Sequence, residues 1–241
     1  GVSALTTEQV TNLSTNQIAA FSTAQIQAFS TDTMVALSSD QLTQLDAAQV
    51  GALSATQVRA IQTVDLAAMS TDQVQALSTA AIANLSASQV SHLNSDQVAS
   101  LTTEQIKAMT PGQITDLTAA QIGRLTSEQV GVMSTAQVAA IDSGDVASLK
   151  LEATAALSVD QLKALSTDQL SAMTNSQVRQ LSTQQIDALT TSQVAHMTTD
   201  QVSALTAVQV GALGTAQVKA LDSDQVASLT TLQLGALSDT Q

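Results

Sequence analysis

Large apolar residues recur at every eighth position of this chain. One series runs from Leu5 to Leu237 and holds Leu, Ile, Met or Phe at all thirty of its positions. A second series runs from Val10 to Leu234, and only Thr154 interrupts its run of large apolar residues. Self-similarity at a fixed period is the signature of a repeat architecture. The segment 70–77, Ser-Thr-Asp-Gln-Val-Gln-Ala-Leu, is one copy of this eight-residue unit, the octad.

The polar positions of the octad predict the start of a helix. The residue after each series-one apolar residue is Ser, Thr, Asp, Asn or Gly in 28 of 30 copies, and the residue three positions later is Gln in 25 of 30. This pattern is the capping box, in which the hydroxyl of Ser70 accepts the amide N–H of Gln73 and the Gln73 side chain returns to the cap. Val74 and Leu77 then supply the apolar face. The Gln column is interrupted at Thr33, Asp65, Ala81, Asp145 and Ala153.

The placement of charge and proline supports the helical interpretation. Twelve of the 20 acidic residues lie two positions after the cap and three more occupy the cap itself. Negative charge is favoured there by the dipole of a helix. The single proline, Pro111, falls at the first helical position, where its missing N–H costs nothing. We expect one short N-capped helix per octad.

The octads cannot join into one long helix with a single apolar face. At about 100° per residue, eight residues overshoot two turns by roughly 80°, so the apolar stripe would rotate around the helix. We therefore predict an all-α, single-layer solenoid or superhelix of capped helices six to seven residues long. A β-solenoid is the alternative, because Val, Ile and Thr are abundant and favour strands.

We expect residues 1–241 to form one continuous array of about thirty octads that belongs to a longer array. A single octad buries too little apolar surface to offset its chain entropy, so stacking on neighbouring octads must stabilise it. Core positions such as Leu101 and Leu205 are therefore predicted to be buried.

Glutamine, never glutamate, completes the capping box. Because the amide both donates and accepts, we expect it to be at least partly buried and to bond the backbone of an adjacent unit. An exposed Gln that only caps its own helix is the alternative.

The pattern is least regular at residues 142–157. Asp145 and Ala153 replace Gln, Lys150 replaces the cap, and Thr154 enters an apolar series, yet the spacing is kept. Sequence drift in a tolerant array is one explanation, and a bend or local partner site is the other.

Composition limits the range of functions. The net charge of −13 argues against nucleic acid and anionic membranes as partners. No apolar run approaches the roughly 18 residues of a membrane span, and the absence of Cys excludes disulfides.

No catalytic, cofactor-binding or metal-binding residues are predicted. His92 and His196 lie thirteen octads apart at the position usually held by Ala. The repeated Ser residues offer no unique nucleophile, and the Asp-rich segments 142–145 and 222–224 lack the ligand count of a calcium loop. We expect no enzyme activity.

The run Ala-Met-Ser-Thr-Asp-Gln-Val-Gln-Ala-Leu at 68–77 resembles the octapeptide-repeat regions of very large secreted or surface-attached bacterial proteins, some adhesin-like and exported by type I systems. The resemblance covers essentially the whole chain. It implies an extracellular or cell-surface bacterial setting and a structural or adhesive role, and it carries over no functional residues.

The leading hypothesis is a structural stalk or spacer, whose expected partners are neighbouring domains of a larger protein or other copies of the chain. The alternatives are a binding module for a peptide, a glycan or another copy of the chain, and an ice-binding or surface-binding role for the regular Ser/Thr pairs.

Overall fold

The computed structural model describes residues 2–241, and the described part of the chain is entirely helical. It contains 28 α-helices and two 3-10 helices, with no strand among those residues. The all-α prediction is confirmed and the β-solenoid alternative is wrong. Fourteen of the 28 α-helices have six residues, the lower end of the expected range, and the other fourteen have four or five.

The chain forms two compact units: the first ends at Gln121 and the second runs from Ile122 to Gln241. The first unit begins with the 3-10 helix Val2–Ala4. Its α-helices are α1 (Thr7–Thr11), α2 (Thr15–Ala19), α3 (Thr23–Gln27), α4 (Thr31–Ala36), α5 (Ser39–Leu42), α6 (Ala47–Gly51), α7 (Ala55–Ala60), α8 (Thr63–Ala68), α9 (Thr71–Ala76), α10 (Thr79–Ala83), α11 (Ala87–His92), α12 (Ser95–Ser100), α13 (Thr103–Ala108) and α14 (Pro111–Thr115), followed by α15 (Ala119–Ile122).

The second unit follows the same pattern. Its helices are α16 (Ser127–Val132), α17 (Thr135–Ala139), the 3-10 helix Ser143–Ser148, α18 (Leu151–Ala155), α19 (Val159–Ala164), α20 (Thr167–Ala172), α21 (Asn175–Gln180), α22 (Thr183–Ala188), α23 (Thr191–Ala195), α24 (Thr199–Ala204), α25 (Ala207–Gly211), α26 (Thr215–Ala220), α27 (Ser223–Ala227) and α28 (Thr231–Leu234).

Each octad is a short helix between two extended residues. Ser70, the cap of α9, has φ −69° and ψ 161°, and Leu77, which ends the helix, has φ −58° and ψ 136°. Because Leu77 leaves the helical region, the chain turns sharply and the next helix starts at once. With an extended cap before it and an extended residue after it, α9 is limited to six residues.

The two apolar series form the core of each unit. In the octad of α9, Val74 is fully buried and Leu77 is 3% exposed. Leu101 and Leu205, chosen from the sequence as core positions, are 4% and 5% exposed. All six Met residues lie in these series and are buried.

Within each unit the chain coils so that helices three octads apart pack side by side. In the first unit α6 packs on α9 and α9 on α12, and in the second unit α18 packs on α21 and α21 on α24. Side-chain hydrogen bonds between turns join residues 25 to 31 apart. Each superhelical turn therefore contains between three and four octads.

Within residues 2–241, no helix is both long enough and apolar enough to cross a membrane.

Candidate functional site

The most distinctive feature of each unit is a row of glutamine side chains that link one turn to the turn before it. We call this row the Gln ladder; its members are the Gln residues at the third helical position of their octads. The cap of each octad positions its ladder glutamine.

The capping box of α9 has both of its hydrogen bonds. The Ser70 hydroxyl accepts from the Gln73 N–H at 3.2 Å, and Gln73 Oε1 accepts from the Ser70 N–H at 2.9 Å. These two bonds satisfy amide donors that a helix start leaves unpaired. They also fix the Gln73 side chain, so its remaining amide protons point in one direction.

The other end of the same side chain bonds the preceding turn. Gln73 Nε2 donates to the carbonyl oxygens of Leu42 at 3.1 Å and Leu45 at 2.8 Å, which are 31 and 28 residues earlier. Gln97 makes the same pair of bonds to Leu66 and Met69, at 2.9 and 2.7 Å. The unit bonded by the Gln amide is therefore adjacent in space but four octads earlier in sequence.

This double role explains the absence of Glu from the column. A carboxylate could accept the cap N–H, but it could not donate to two carbonyls and would place a buried negative charge against them. The ladder Gln residues are buried, with Gln97 fully so. The alternative of an exposed, purely capping Gln holds only where no earlier turn exists in the described chain. Gln9, Gln17 and Gln25 are exposed and complete their own capping boxes.

The ladder is the hydrogen-bond partner of the carbonyl that closes each octad. At Ala81 the ladder side chain is missing, and the corresponding carbonyl, that of Leu53, accepts no hydrogen bond in the described part of the chain. Leu53 is only 3% exposed, so water has little access to it. An unpaired buried carbonyl is destabilising by about 1–3 kcal/mol.

At another interruption of the ladder, Asp65, different side chains bond the preceding turn. Asp65 is 5% exposed and accepts a hydrogen bond from the Ser39 hydroxyl at 2.5 Å, on the preceding turn. In the same octad Gln62 occupies the cap, and its Nε2 donates to the Val35 carbonyl at 2.9 Å. The bond between turns has moved from the ladder position to the cap.

A second type of bond runs forwards along the chain. The Arg59 guanidinium donates to the Asn84 carbonyl at 3.0 Å, and Gln75 Nε2 donates to the Ser100 carbonyl at 2.8 Å, each 25 residues later. Both donors occupy the fifth helical position of their octads. At the equivalent position of Gly51, an added Cβ would lie 3.2 Å from the Ala76 carbonyl.

The structure does not bring the candidate chemistry together. The Nδ1 atoms of His92 and His196 lie 2.7 Å from the carbonyls of Ser88 and Ser192, four residues earlier in each case. Each imidazole closes the end of its own helix, and the two lie in different units. Within residues 2–241 no group of three or more His, Cys, Asp or Glu side chains is arranged to hold a metal ion.

Proline is accommodated as a helix start. Pro111 is the first residue of α14, and the Thr110 hydroxyl caps that helix by accepting from the Gln113 N–H at 3.2 Å.

Two carboxyl groups have perturbed affinities for protons. A hydrogen bond from its own backbone amide, and then bonds from the hydroxyls of Thr126 and Ser127, lower the pKa of Glu128 at the start of α16. Burial, followed by repulsion from the Asp142 carboxylate, raises the pKa of Asp145. The acid at a regular helix start is stabilised in its charged form, whereas the acid in the irregular segment is not.

Sequence reasoning identified the Gln column but not the residues to which it bonds. The partner carbonyls belong to the backbone, so no residue type marks them. The preference for Gln over Glu was the available signal, and it indicated a donor role without giving the distance along the chain.

Comparisons with known proteins give one family. The sequence model described as "ALTTAQ repeat" matches residues 2–39, 15–47, 58–95, 66–103, 138–175, 175–207 and 208–239. No curated protein matches the chain. Among solved structures, the crystal structure of the leucine-rich repeat-containing protein LegL7 from Legionella pneumophila is similar over 87% of this chain and 83% of its own, at 18% identity and a TM-score of 0.28. At that TM-score the likeness carries no argument about fold or function. The family matches cover most of the sequence, and the chain belongs to the ALTTAQ repeat family.

Proposed function

We propose that this chain is a structural spacer, an extended stalk within a larger bacterial surface or secreted protein, and that it performs no catalysis. The observation that carries the proposal is the Gln ladder. The same pair of bonds recurs from Gln41, which donates to Val10 and Leu13, to Gln233, which donates to Val202 and Leu205.

A bond that is repeated along the chain stabilises an array of many octads and creates no unique site. Each added octad supplies its own cap, two core side chains and one ladder Gln, and receives the same contacts as its neighbours. In such arrays stability is close to a sum over repeats and their interfaces. Octads can therefore be added to increase the reach of the protein without a new core.

The alternative, a binding module, requires a distinctive face confined to neighbouring repeats. The best example is Val208, 71% exposed, and Leu232, 79% exposed, at the same position of the contacting helices α25 and α28. Two side chains are far less than the roughly 800 Å² per partner of a stable interface. The spacer role is therefore preferred to a peptide, glycan or self-association site.

The proposed location and partners rest on other grounds. The extracellular or cell-surface setting rests on the resemblance to octapeptide-repeat regions. The net charge of −13 disfavours nucleic acid as a partner, and neighbouring domains of the same protein are the partners proposed.

Small-angle X-ray scattering of deletion variants tests the spacer role. We expect a radius of gyration well above the roughly 18 Å of a compact domain of this length. Deletion of residues 158–189, four octads, places Thr190 directly after Leu157 and brings Gln193 to the position that Gln161 holds. We expect this variant to stay folded and to have a shorter maximum dimension.

Deletion of residues 158–185 is the control, because it removes a similar mass but breaks the octad phase. We expect this control to lose helical circular dichroism. A compact parent particle, or a maximum dimension unchanged by the four-octad deletion, would contradict the proposal.

A further inference from the structure

We propose that residues 142–157, which we call the joint, form a built-in weak point that opens locally before the rest of the second unit. The proposal concerns the stability of the chain and holds whatever role the whole protein has. It rests on four features that occur together in these two octads.

The first feature is the loss of the ladder in consecutive octads. Asp145 and Ala153 occupy ladder positions, and neither side chain has an amide to donate. Leu125, the residue whose carbonyl Ala153 would serve if it were Gln, is fully buried, and its carbonyl accepts no hydrogen bond within the described residues. In the next octad Gln161 donates to Val130 and Met133, both at 2.8 Å.

The second feature is a failure of helix capping. Lys150 occupies the cap of α18 and makes no side-chain cap hydrogen bond. It also places a positive charge at a helix N-terminus, where the dipole disfavours it. The first amides of α18 therefore lack the partner that Ser158 gives α19, where the hydroxyl accepts from Gln161 N–H at 3.2 Å.

The third feature is a change of helix type. The Asp142 carboxylate accepts from the N–H of Gly144 at 2.8 Å, one residue earlier than a regular cap would. The octad then forms the 3-10 helix Ser143–Ser148, whose hydrogen-bond geometry is poorer than that of an α-helix.

The fourth feature is a weaker core. Thr154 replaces a large apolar residue in a position that is 1% exposed, and its hydroxyl bonds the Lys150 carbonyl at 3.0 Å. Leu151, at the start of the same helix, remains 37% exposed. The octad therefore buries less apolar surface than its neighbours.

The joint is nevertheless bonded to the turn that follows it. Gln177 donates to Val146 at 3.0 Å and to Leu149 at 2.8 Å, and Gln185 donates to Leu157 at 2.6 Å. Opening would therefore separate residues 150–157 from residues 122–133 of the same unit, while the bonds to the following turn persist. Local opening of this kind is what native-state amide exchange measures.

Hydrogen–deuterium exchange of the whole chain under native conditions tests the proposal. We expect amides of residues 151–156 to exchange at least about tenfold faster than those of residues 159–164. Ala153→Gln should slow exchange in 151–156 toward the rate of 159–164. Lys150→Ser should also slow this exchange, because it restores the helix cap. This variant adds no larger side chain to the core.

Glu152→Gln is the matched control, since it places the same side chain one residue away at an exposed position where it cannot serve the ladder. It should not slow exchange in 151–156. Equal protection of 151–156 and 159–164 in the parent would overturn the proposal. So would failure of both Ala153→Gln and Lys150→Ser to slow exchange, or slowing by Glu152→Gln as large as that by Ala153→Gln.

Discussion

The side-chain amide of Gln97 donates to the carbonyl of Met69 at 2.7 Å, across 28 residues of sequence. The same amide donates to Leu66, and its oxygen accepts from the Asn94 N–H at 2.8 Å. One neutral side chain therefore starts its own helix and attaches that helix to the previous turn. Substitutions at the ladder, the cap and the core separate these two tasks from each other and from core packing.

Gln97→Glu should be strongly destabilising, by about 3–5 kcal/mol, because it puts an unpaired buried charge against two carbonyls. The control is Gln9→Glu, at an exposed position where the side chain only caps α1. That variant should change the free energy of unfolding by less than about 0.5 kcal/mol. Urea denaturation at neutral pH measures both, and equal effects would mean that the ladder bonds contribute nothing.

Ala81→Gln should stabilise the first unit by about 1–2 kcal/mol. The new amide can reach the unpaired Leu53 carbonyl and can complete the capping box begun by Ser78, whose hydroxyl already accepts from the residue-81 N–H at 3.1 Å. Ala80→Gln, one residue away on the surface, should be neutral. Destabilisation by Ala81→Gln in urea denaturation would show that surrounding side chains already fill the space that the Gln side chain needs.

Ser70→Ala should cost about 1 kcal/mol, the usual loss for an N-cap, and Ser70→Asp should be nearly neutral. Ser70→Lys should be worse than Ala, since it adds positive charge at a helix start. Lys150→Ser should stabilise the chain by the converse argument. Chemical denaturation of these four variants checks the series, and a Ser70→Lys variant as stable as the parent would rule out capping as the role of this column.

Leu101→Ala and Leu205→Ala should each cost about 2–4 kcal/mol, because both side chains are buried and their removal leaves cavities. Thermal or urea unfolding measures the loss. Leu5→Ala is the comparison, since Leu5 is only partly buried. It should cost less, and equal tolerance at all three positions would contradict burial of the series.

Asp145 should make the chain less stable as pH rises. Its pKa in the folded state lies above the ordinary value of 3.8, so the folded chain holds this proton more tightly than the unfolded chain does. The contribution is fully present below 3.8 and is lost as pH rises through the folded-state pKa. Urea midpoints across this range should therefore fall more with pH in the parent than in Asp145→Asn.

Glu128 should change the stability of the chain with the opposite dependence on pH. Its pKa is lowered from 4.5 by hydrogen bonds, so its contribution is present above that value and is lost as pH falls through the folded-state pKa. Glu128→Gln should flatten the acid limb of the stability curve. Parallel pH curves for the parent and both variants would show that neither group titrates differently on folding.

Much of this fold could be predicted because its decisive interactions are local. The bond between Ser70 and Gln73 spans three residues and is visible in the sequence as a cap followed by Gln. The number of octads per turn could not be predicted in this way. That number depends on the backbone conformation of residues such as Leu77, which has φ −58° and ψ 136° and sets the direction of the next helix. Many residue types can adopt that conformation, so the sequence does not reveal it.

The continuity of residues 1–241 as a single array remains a prediction from the unbroken spacing. The joint at 142–157 is recognisable as irregular from the sequence, because Lys150 stands at a cap and Ala153 at a ladder position. Which carbonyl is left without a ladder amide, that of Leu125, depends on the fold and is not marked by any residue type.

The groups that hold one turn of the Gln ladder to the next are all electrically neutral. An amide such as that of Gln105 and the carbonyls of Val74 and Leu77 neither titrate near ordinary pH nor attract counterions. Acid, alkali or brine can weaken the ion pair between Lys107 and Glu104 on the surface, but these agents have no charge to act on in the ladder itself. Cohesion between turns is thus decoupled from the chemistry of the surrounding medium.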